Sequence, residues 1–366
     1  MGSRRRENAA IPRRAARSVV MAAFFTVGNS DSFSVEQEAC HEISETGIFA
    51  SGSRGCGSAD HFRYRKSPDL SDAASAHHRW IPPGGITDFY ARLSGQLLSE
   101  RLGQPFIIEN RTGAGGTIAV DSVVRAPPDG YTLLITSSND IYNPSLYPDL
   151  KYEYFRDITP VAGVALSPLV LEVNPSTPIN TVSELIGYAK ANPGKLNYAS
   201  AGVGTGQHLC GELFKMLTGV NMVHVPYRGA APAVSDLIAG QVQAGFDFLP
   251  SSIEHIRAGR LRALAVASAK RWPALPALPT VGDFLPGFEA VAPFGIAAPK
   301  RTPGEVVDRL SREINVILAG PRMKAQMAQI GDEPFPPGSP TEFAKLIEAD
   351  AEKWRKVIRA ANIKLG

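Results

Sequence analysis

A short strand that enters a glycine-rich turn and leaves it as a helix fixes the local path of a chain. Residues 198–214, YASAGVGTGQHLCGELF, have that form. Residues 195–199 read as the strand, and Ser200, Gly202, Gly204 and Gly206 crowd the turn. From Gln207 onward the apolar residues recur at helical spacing. The first N–H groups of a helix have no carbonyl partner, and with the positive end of the helix dipole they form an anion site. Glycines let the backbone close on a ligand, while Ser200 and Thr205 add hydroxyls. A strand-to-helix connection that binds nothing would carry the same residues. No Lys-Ser/Thr pair follows the glycines, so the turn is not a Walker-type phosphate loop.

Strand and helix patterns alternate from residue 82 to the end of the chain. The spacing predicts helices over 86–102, 181–191, 231–239, 251–258, 302–318, 323–330 and 340–360. Strands are expected over 105–109, 131–136, 164–173, 221–225, 244–248, 261–267 and 294–299. A second glycine turn, residues 110–116, opens a helix that runs through Val124. Thr181, with Glu184 three residues on, marks a helix start. Alternation of this kind predicts an α/β protein with parallel sheets and crossover helices. In such sheets ligands sit beyond the carboxyl ends of the strands, where the glycine turns lie.

Residues 1–80 break this regularity. They are rich in Ser, Arg and Ala, show no clear period and are expected to be disordered. Arg13, Arg14 and Arg17 precede the apolar run 18–27, a weak export signal without a clean small-x-small cleavage site.

Composition removes several classes of function. A net charge of +3 over 366 residues gives no reason to expect a nucleic-acid partner. No apolar run approaches the roughly 20 residues needed to span a bilayer. Of the three cysteines, Cys40 and Cys56 could pair in an oxidising compartment, and Cys210 lies on the apolar side of its helix as a buried thiol. His208-x-Cys210 lacks partners at metal-ligand spacing, so neither a metal nor another cofactor is expected. The chain shows no nucleophile–base–orienter set, so it is not expected to be an enzyme.

The segments PPGGITDFYARL, LGQPFIIENRTGAGGTIA, PDGYTLLIT, NPSLYP, NYASAGVGTGQHLCGELF, VHVPYRGAAPAVSDLIAGQV and LRALAVAS occur in this order. Together they resemble the Bug family, the periplasmic solute-binding proteins of tripartite tricarboxylate transporters, also called the TctC family. The resemblance runs from Pro82 to the C-terminus. It implies a two-lobed, type II-like periplasmic-binding-protein fold with a ligand cleft between the lobes. Residues 82–170 plus 293–366 would form the first lobe and 171–292 the second. It also implies a periplasmic monomer that captures a small carboxylate for the membrane components of such a transporter. A ligand sensor that presents a bound carboxylate to a signalling partner is the alternative reading.

The likeness stops just before Pro82, where family members carry a first strand reading roughly YPTRPVRIIVGF. Suitable codons for residues 70–81, read one base later, spell YPTRPVRTIVGF. A reading frame shifted upstream of Pro82, by sequencing error or a real lesion, would account for this, and whether residues 1–81 are a true product of the gene stays open. In the chain as it stands, the central strand of the first lobe would be compromised.

Sixteen residues are expected at the ligand. Pro83, Gly84, Gly85, Thr87 and Asp88 form the first strand-to-helix turn, which by resemblance faces the cleft. Asp88 is equally suited to the first turn of a helix, where the dipole stabilises it. Ser137, Ser138 and Asn139 follow a strand of the same lobe. Ser200, Gly202, Gly204 and Thr205 oppose them, and His208 either donates to the ligand or packs. Tyr227 and Gly229 end the next strand. Asp247, between Phe246 and Phe248, is either a ligand-selecting group suited to an ammonium or hydroxyl or a buried structural acceptor.

Overall fold

A computed structural model describes residues 19–23, 85–111 and 114–365. Pro83, Gly84, Cys40, Cys56 and the frame-sensitive stretch 70–81 lie outside them. The chain runs β1 (Val19–Ala23), α1 (Ile86–Leu102), β2 (Phe106–Asn110), a 3-10 turn, α2 (Thr117–Val124), β3 (Thr132–Thr136), α3 (Ser138–Leu146) and the single-turn α4 (Tyr154–Asp157). It continues through β4 (Ile158–Val173), α5 (Val182–Ala191), β5 (Asn197–Ser200), α6 (Gly206–Thr218), β6 (Val223–Pro226), α7 (Ala230–Ile238), β7 (Ala244–Phe248), α8 (Leu249–Arg257) and β8 (Arg262–Val266). Then follow β9 (Val291–Pro299), α9 (Gly304–Ala319), α10 (Pro321–Gln329), β10 (Glu333–Pro334) and α11 (Pro340–Ala360).

The sheet order is β2-β1-β3-β9-β4-β7-β5-β6, with β8 and β10 also paired to β4. The expectation of parallel sheets holds at the two ends of the sheet and not between them. Parallel pairs occupy the two ends, β1 with β2 and β3, and β5 with β6 and β7. Between them β4 and β9 run antiparallel to their neighbours. β4 is also longer than the predicted 164–173. Pro160 and Gly163 read as strand breakers, yet register shifts at 160/162 and 163/165 absorb them, as bulges do. Its first part pairs with β9 and its last residues, Leu169–Val173, pair with β7. One strand thus joins both ends of the sheet.

Two glycines let that junction close. Gly163 faces Gly295 in the β4–β9 register. A Cβ at Gly163 would lie 2.2 Å from the Phe335 ring, and one at Gly295 would lie 2.2 Å from the Phe343 ring. The aromatic rings occupy the space two side chains would need.

The expectation of disorder before residue 80 fails at β1. Val19–Ala23 lies between β2 and β3 and pairs in parallel with both, from Val19↔Phe106 to Ala23↔Asn110 and from Val20↔Thr132 to Ala22↔Leu134. The run that reads as a signal-peptide core thus fills the position of a strand. β2 and β3 each present a row of backbone groups that needs a partner, and an apolar run beginning Val-Val has the propensity to supply it.

The helix α3 was not expected, because Pro144 lies inside it. Its start is strongly fixed: Asp140 Oδ2 accepts the Ser137 N–H at 2.7 Å and the Ser137 hydroxyl at 3.0 Å.

Candidate ligand-binding site

The turn between β5 and α6 holds itself together. Gly202 and Gly204 have φ of +138° and +78°, values that favour glycine. Thr205 is the N-cap of α6: its Oγ1 donates to the Gly202 carbonyl at 2.7 Å and accepts from the His208 N–H at 3.5 Å. The Ser200 hydroxyl contacts the Gly202 carbonyl at 3.1 Å and His224 Nε2 at 2.6 Å. Both hydroxyls expected to donate to a ligand are thus engaged inside the turn. The N–H groups of Gly206 and Gln207, the first two of α6, have no carbonyl within reach of helical geometry. They are what the turn offers an anion.

His208 braces the turn from below. The Gly204 N–H donates to its Nδ1 at 3.0 Å, which places the ring proton on Nε2, the nitrogen 3.8 Å from Glu212 Oε1. Its ring stacks on His224 at 3.8 Å between centroids and 9° between planes. Burial pushes His208 down to about 4 against the partial opposition of Glu212. Burial and the neighbouring His208 push His224 down to about 3. Two neutral rings can stack this closely, whereas two imidazolium ions would repel. Beneath them, Glu212 accepts hydrogen bonds from Tyr198 and Lys215, each at 2.7 Å.

The next strand end is tied to the same turn. The Tyr227 N–H donates to the Ser200 carbonyl at 3.0 Å and the Gly229 N–H to the Ala201 carbonyl at 3.1 Å. The Tyr227 hydroxyl turns to Asp236 at 2.8 Å. Asp247, at the end of β7, accepts Gln207 Nε2 at 3.1 Å and the Phe248 N–H at 2.8 Å through Oδ1. Its Oδ2 is buried without a partner. Burial pushes its carboxyl up to about 7, with the Gln207 bond opposing.

From the other end of the sheet, the β3–α3 turn contributes Ser137 and Ser138, both buried, and Asn139. At the start of α1, Gly85 is the N-cap and Thr87 is buried. Asp88 has both oxygens occupied, by Arg92 at 2.8 Å and Asn110 at 3.0 Å. The two ends approach each other at Gly204, where a Cβ would lie 2.8 Å from Leu146 Cδ1 and 3.1 Å from Leu365 Cδ1.

The model of the tripartite tricarboxylate transporter family receptor matches residues 90–363. The chain belongs to this family. The receptor is 38% identical to the protein BugT of Bordetella pertussis over 78% of its own length and 88% of that protein. It matches a structure from R. palustris solved with adipate at a TM-score of 0.72 and 40% identity, over 78% of this chain and 96% of that one. It also matches MatC of Rhodopseudomonas palustris with bound malate at a TM-score of 0.68 and 32% identity, over 76% and 96% of the two chains. The fold is therefore the mixed α/β fold of periplasmic binding proteins, and the chain is a solute-binding receptor, not an enzyme. Among the described residues no helix is long and apolar enough to cross a membrane.

Sequence reasoning missed three residues that shape this receptor's site. His224 lies in the apolar-looking run VHVP, Gln207 directly follows the glycines, and Glu172 is the lone acid in LVLEV. A charged residue in a strand otherwise apolar on both faces was the available signal for Glu172.

Proposed function

We propose that the receptor captures a small carboxylate in the periplasm and delivers it, as a monomer, to the membrane components of a tripartite tricarboxylate transporter. One observation carries this reading. The free N–H groups of Gly206 and Gln207 sit at the positive end of α6, behind a turn whose own hydroxyls are already engaged. That arrangement suits an anion and needs no charged side chain. Adipate and malate in the relatives' structures are consistent with a carboxylate here.

The sheet halves joined through β4 and β9 act as the two lobes, 82–170 plus 293–366 and 171–292. The cleft draws on Gly85, Thr87, Asp88, Ser137, Ser138 and Asn139 from the first. Ser200, Gly202, Gly204, Thr205, His208, Tyr227, Gly229 and Asp247 come from the second. Within this set the Ser137, Ser200, Thr205 and Tyr227 hydroxyls, His208 and Asp88 hold the loops in shape, and backbone N–H groups take the anion.

The test is calorimetric titration of the purified chain with dicarboxylates of differing length, beside mass spectrometry of small molecules released on denaturing it. A carboxylate should co-purify or bind at one site per chain. Failure of both would overturn the reading.

A further inference from the structure

Behind the central turn lies an acid-lined cavity. In the antiparallel β4–β7 pair, Glu172 faces Gly245 and Val170 faces Asp247, so Glu172 and Asp247 are diagonal neighbours on one face. Gly245 leaves the space between them open: a Cβ there would lie 3.1 Å from Leu237 Cδ2 and 3.9 Å from Glu172 Oε1. Glu172, Gly245 and Asp247 line this cavity together with Ser200, Ala201 and Gln207, which belong to the turn and the start of α6.

Both acids are buried, Glu172 wholly and Asp247 to 6% exposure. Each has one satisfied oxygen and one that is not. Glu172 Oε1 accepts the Ser252 hydroxyl at 2.9 Å, and Asp247 Oδ1 holds Gln207 and Phe248. Glu172 Oε2 and Asp247 Oδ2 are buried with no hydrogen-bond partner. Among the described residues no Lys, Arg or His pairs with either acid. Leaving a buried acceptor unmet is costly, more so for a charged one. The unmet Asp247 Oδ2 beside this cavity calls for a hydrogen-bond donor that enters it.

We propose that this cavity is a substituent subsite: it takes a hydroxyl or ammonium group carried by the carboxylate that the neighbouring turn anchors, with Asp247 Oδ2 as first acceptor. The proposal rests on the carboxylate-receptor reading. Burial and the nearby Asp247 push the carboxyl of Glu172, the deeper acid, well up, so of the two it is Glu172 that holds its proton more firmly. Glu172 is accordingly a positioning residue. The receptor's ligands are then hydroxy- or amino-carboxylates in preference to unsubstituted ones.

The test compares ligands that differ in one group. The full chain is titrated calorimetrically with succinate, malate and aspartate, and with adipate and 2-aminoadipate. A hydrogen bond to a charged acceptor predicts that the substituted member of at least one set binds about 10- to 150-fold tighter. Gly245→Ala narrows the cavity while leaving both carboxyl groups in place, its methyl in ordinary contact with Glu172 at 3.9 Å, and should bring that ratio towards one. Asp247→Asn should lower the ratio for the ammonium ligands most, and melting curves establish that each variant folds. Equal affinities within every set, or a preference that survives both variants, overturn the proposal and reduce the cavity to a water pocket. That result leaves the carboxylate-receptor reading standing. No binding by any of the five compounds removes the proposal together with the reading it rests on.

Discussion

Replacing Gly204 by Ala separates two effects that the structure places on one residue. The first is backbone strain. At φ +78° an L-residue is in the left-handed region, which costs roughly 1–2 kcal/mol. That strain is present whether or not the lobes are closed, so it lowers the melting temperature and leaves affinity alone. The second is steric. The new methyl would stand 2.8 Å from Leu146 Cδ1 and 3.1 Å from Leu365 Cδ1, both well inside normal contact. Overpacking of this kind costs about 1–3 kcal/mol. It acts only where the two halves approach, so it opposes the ligand-bound form. At 1.4 kcal/mol per decade the expected loss is about 5- to 140-fold in affinity. Gly204→Val should lose more.

The assay is calorimetric titration with a bound carboxylate, beside thermal unfolding and small-angle scattering. Leu146→Ala supplies the cycle. Paired with Gly204→Ala it removes the nearer contact and should recover most of the affinity, although Leu146 is itself buried and its truncation costs stability. An unchanged affinity in Gly204→Ala, with a lowered melting temperature, would show that ligand binding does not press the halves together at this turn. A double variant no better than Gly204→Ala alone would show that the contact with Leu146 is not the cause of the loss.

Two further outcomes follow from the same structure. Deleting residues 1–24 removes β1 and leaves the facing edges of β2 and β3 without a partner, so the shortened chain should melt earlier and bind a β-sheet dye. A chain that melts unchanged after the deletion would show that Val19–Ala23 contributes nothing to the fold. The stacked histidines give a pH signature. His224 ordinarily titrates near 6.5 but is held at about 3 when folded, chiefly by burial. Between those values the unfolded chain binds the extra proton, so stability rises with pH through that window and is level above it. Asp332 has the opposite sign: burial raises it to about 8, so the folded chain keeps a proton the unfolded one loses, and stability falls from about pH 4 to 8. Urea unfolding of wild type against His224→Asn and against Asp332→Asn should give differences with these opposite slopes.

The sequence by itself determined the units of this receptor. The helix over residues 86–102, the strand over 244–248 and the helix over 340–360 fall where period and breakers put them. Thr181 caps its helix by accepting the Glu184 N–H at 3.1 Å, as the spacing implied. The buried thiol at Cys210 and the family motifs were also legible. These signals act within one or two turns of chain, so a linear reading finds them. Tertiary structure decided the rest. Pro160 and Gly163 argued locally against a strand, but pairing with β9 carried β4 through both. Nothing near Val19 in the chain says that it fills the gap between β2 and β3. His208 became a brace because His224, from the next strand, lies flat against it. Glu172 and Asp247 became one cavity because antiparallel pairing set them diagonally across a glycine. Each of these depends on which strands become neighbours, a choice made by backbone pairing and burial across the whole sheet.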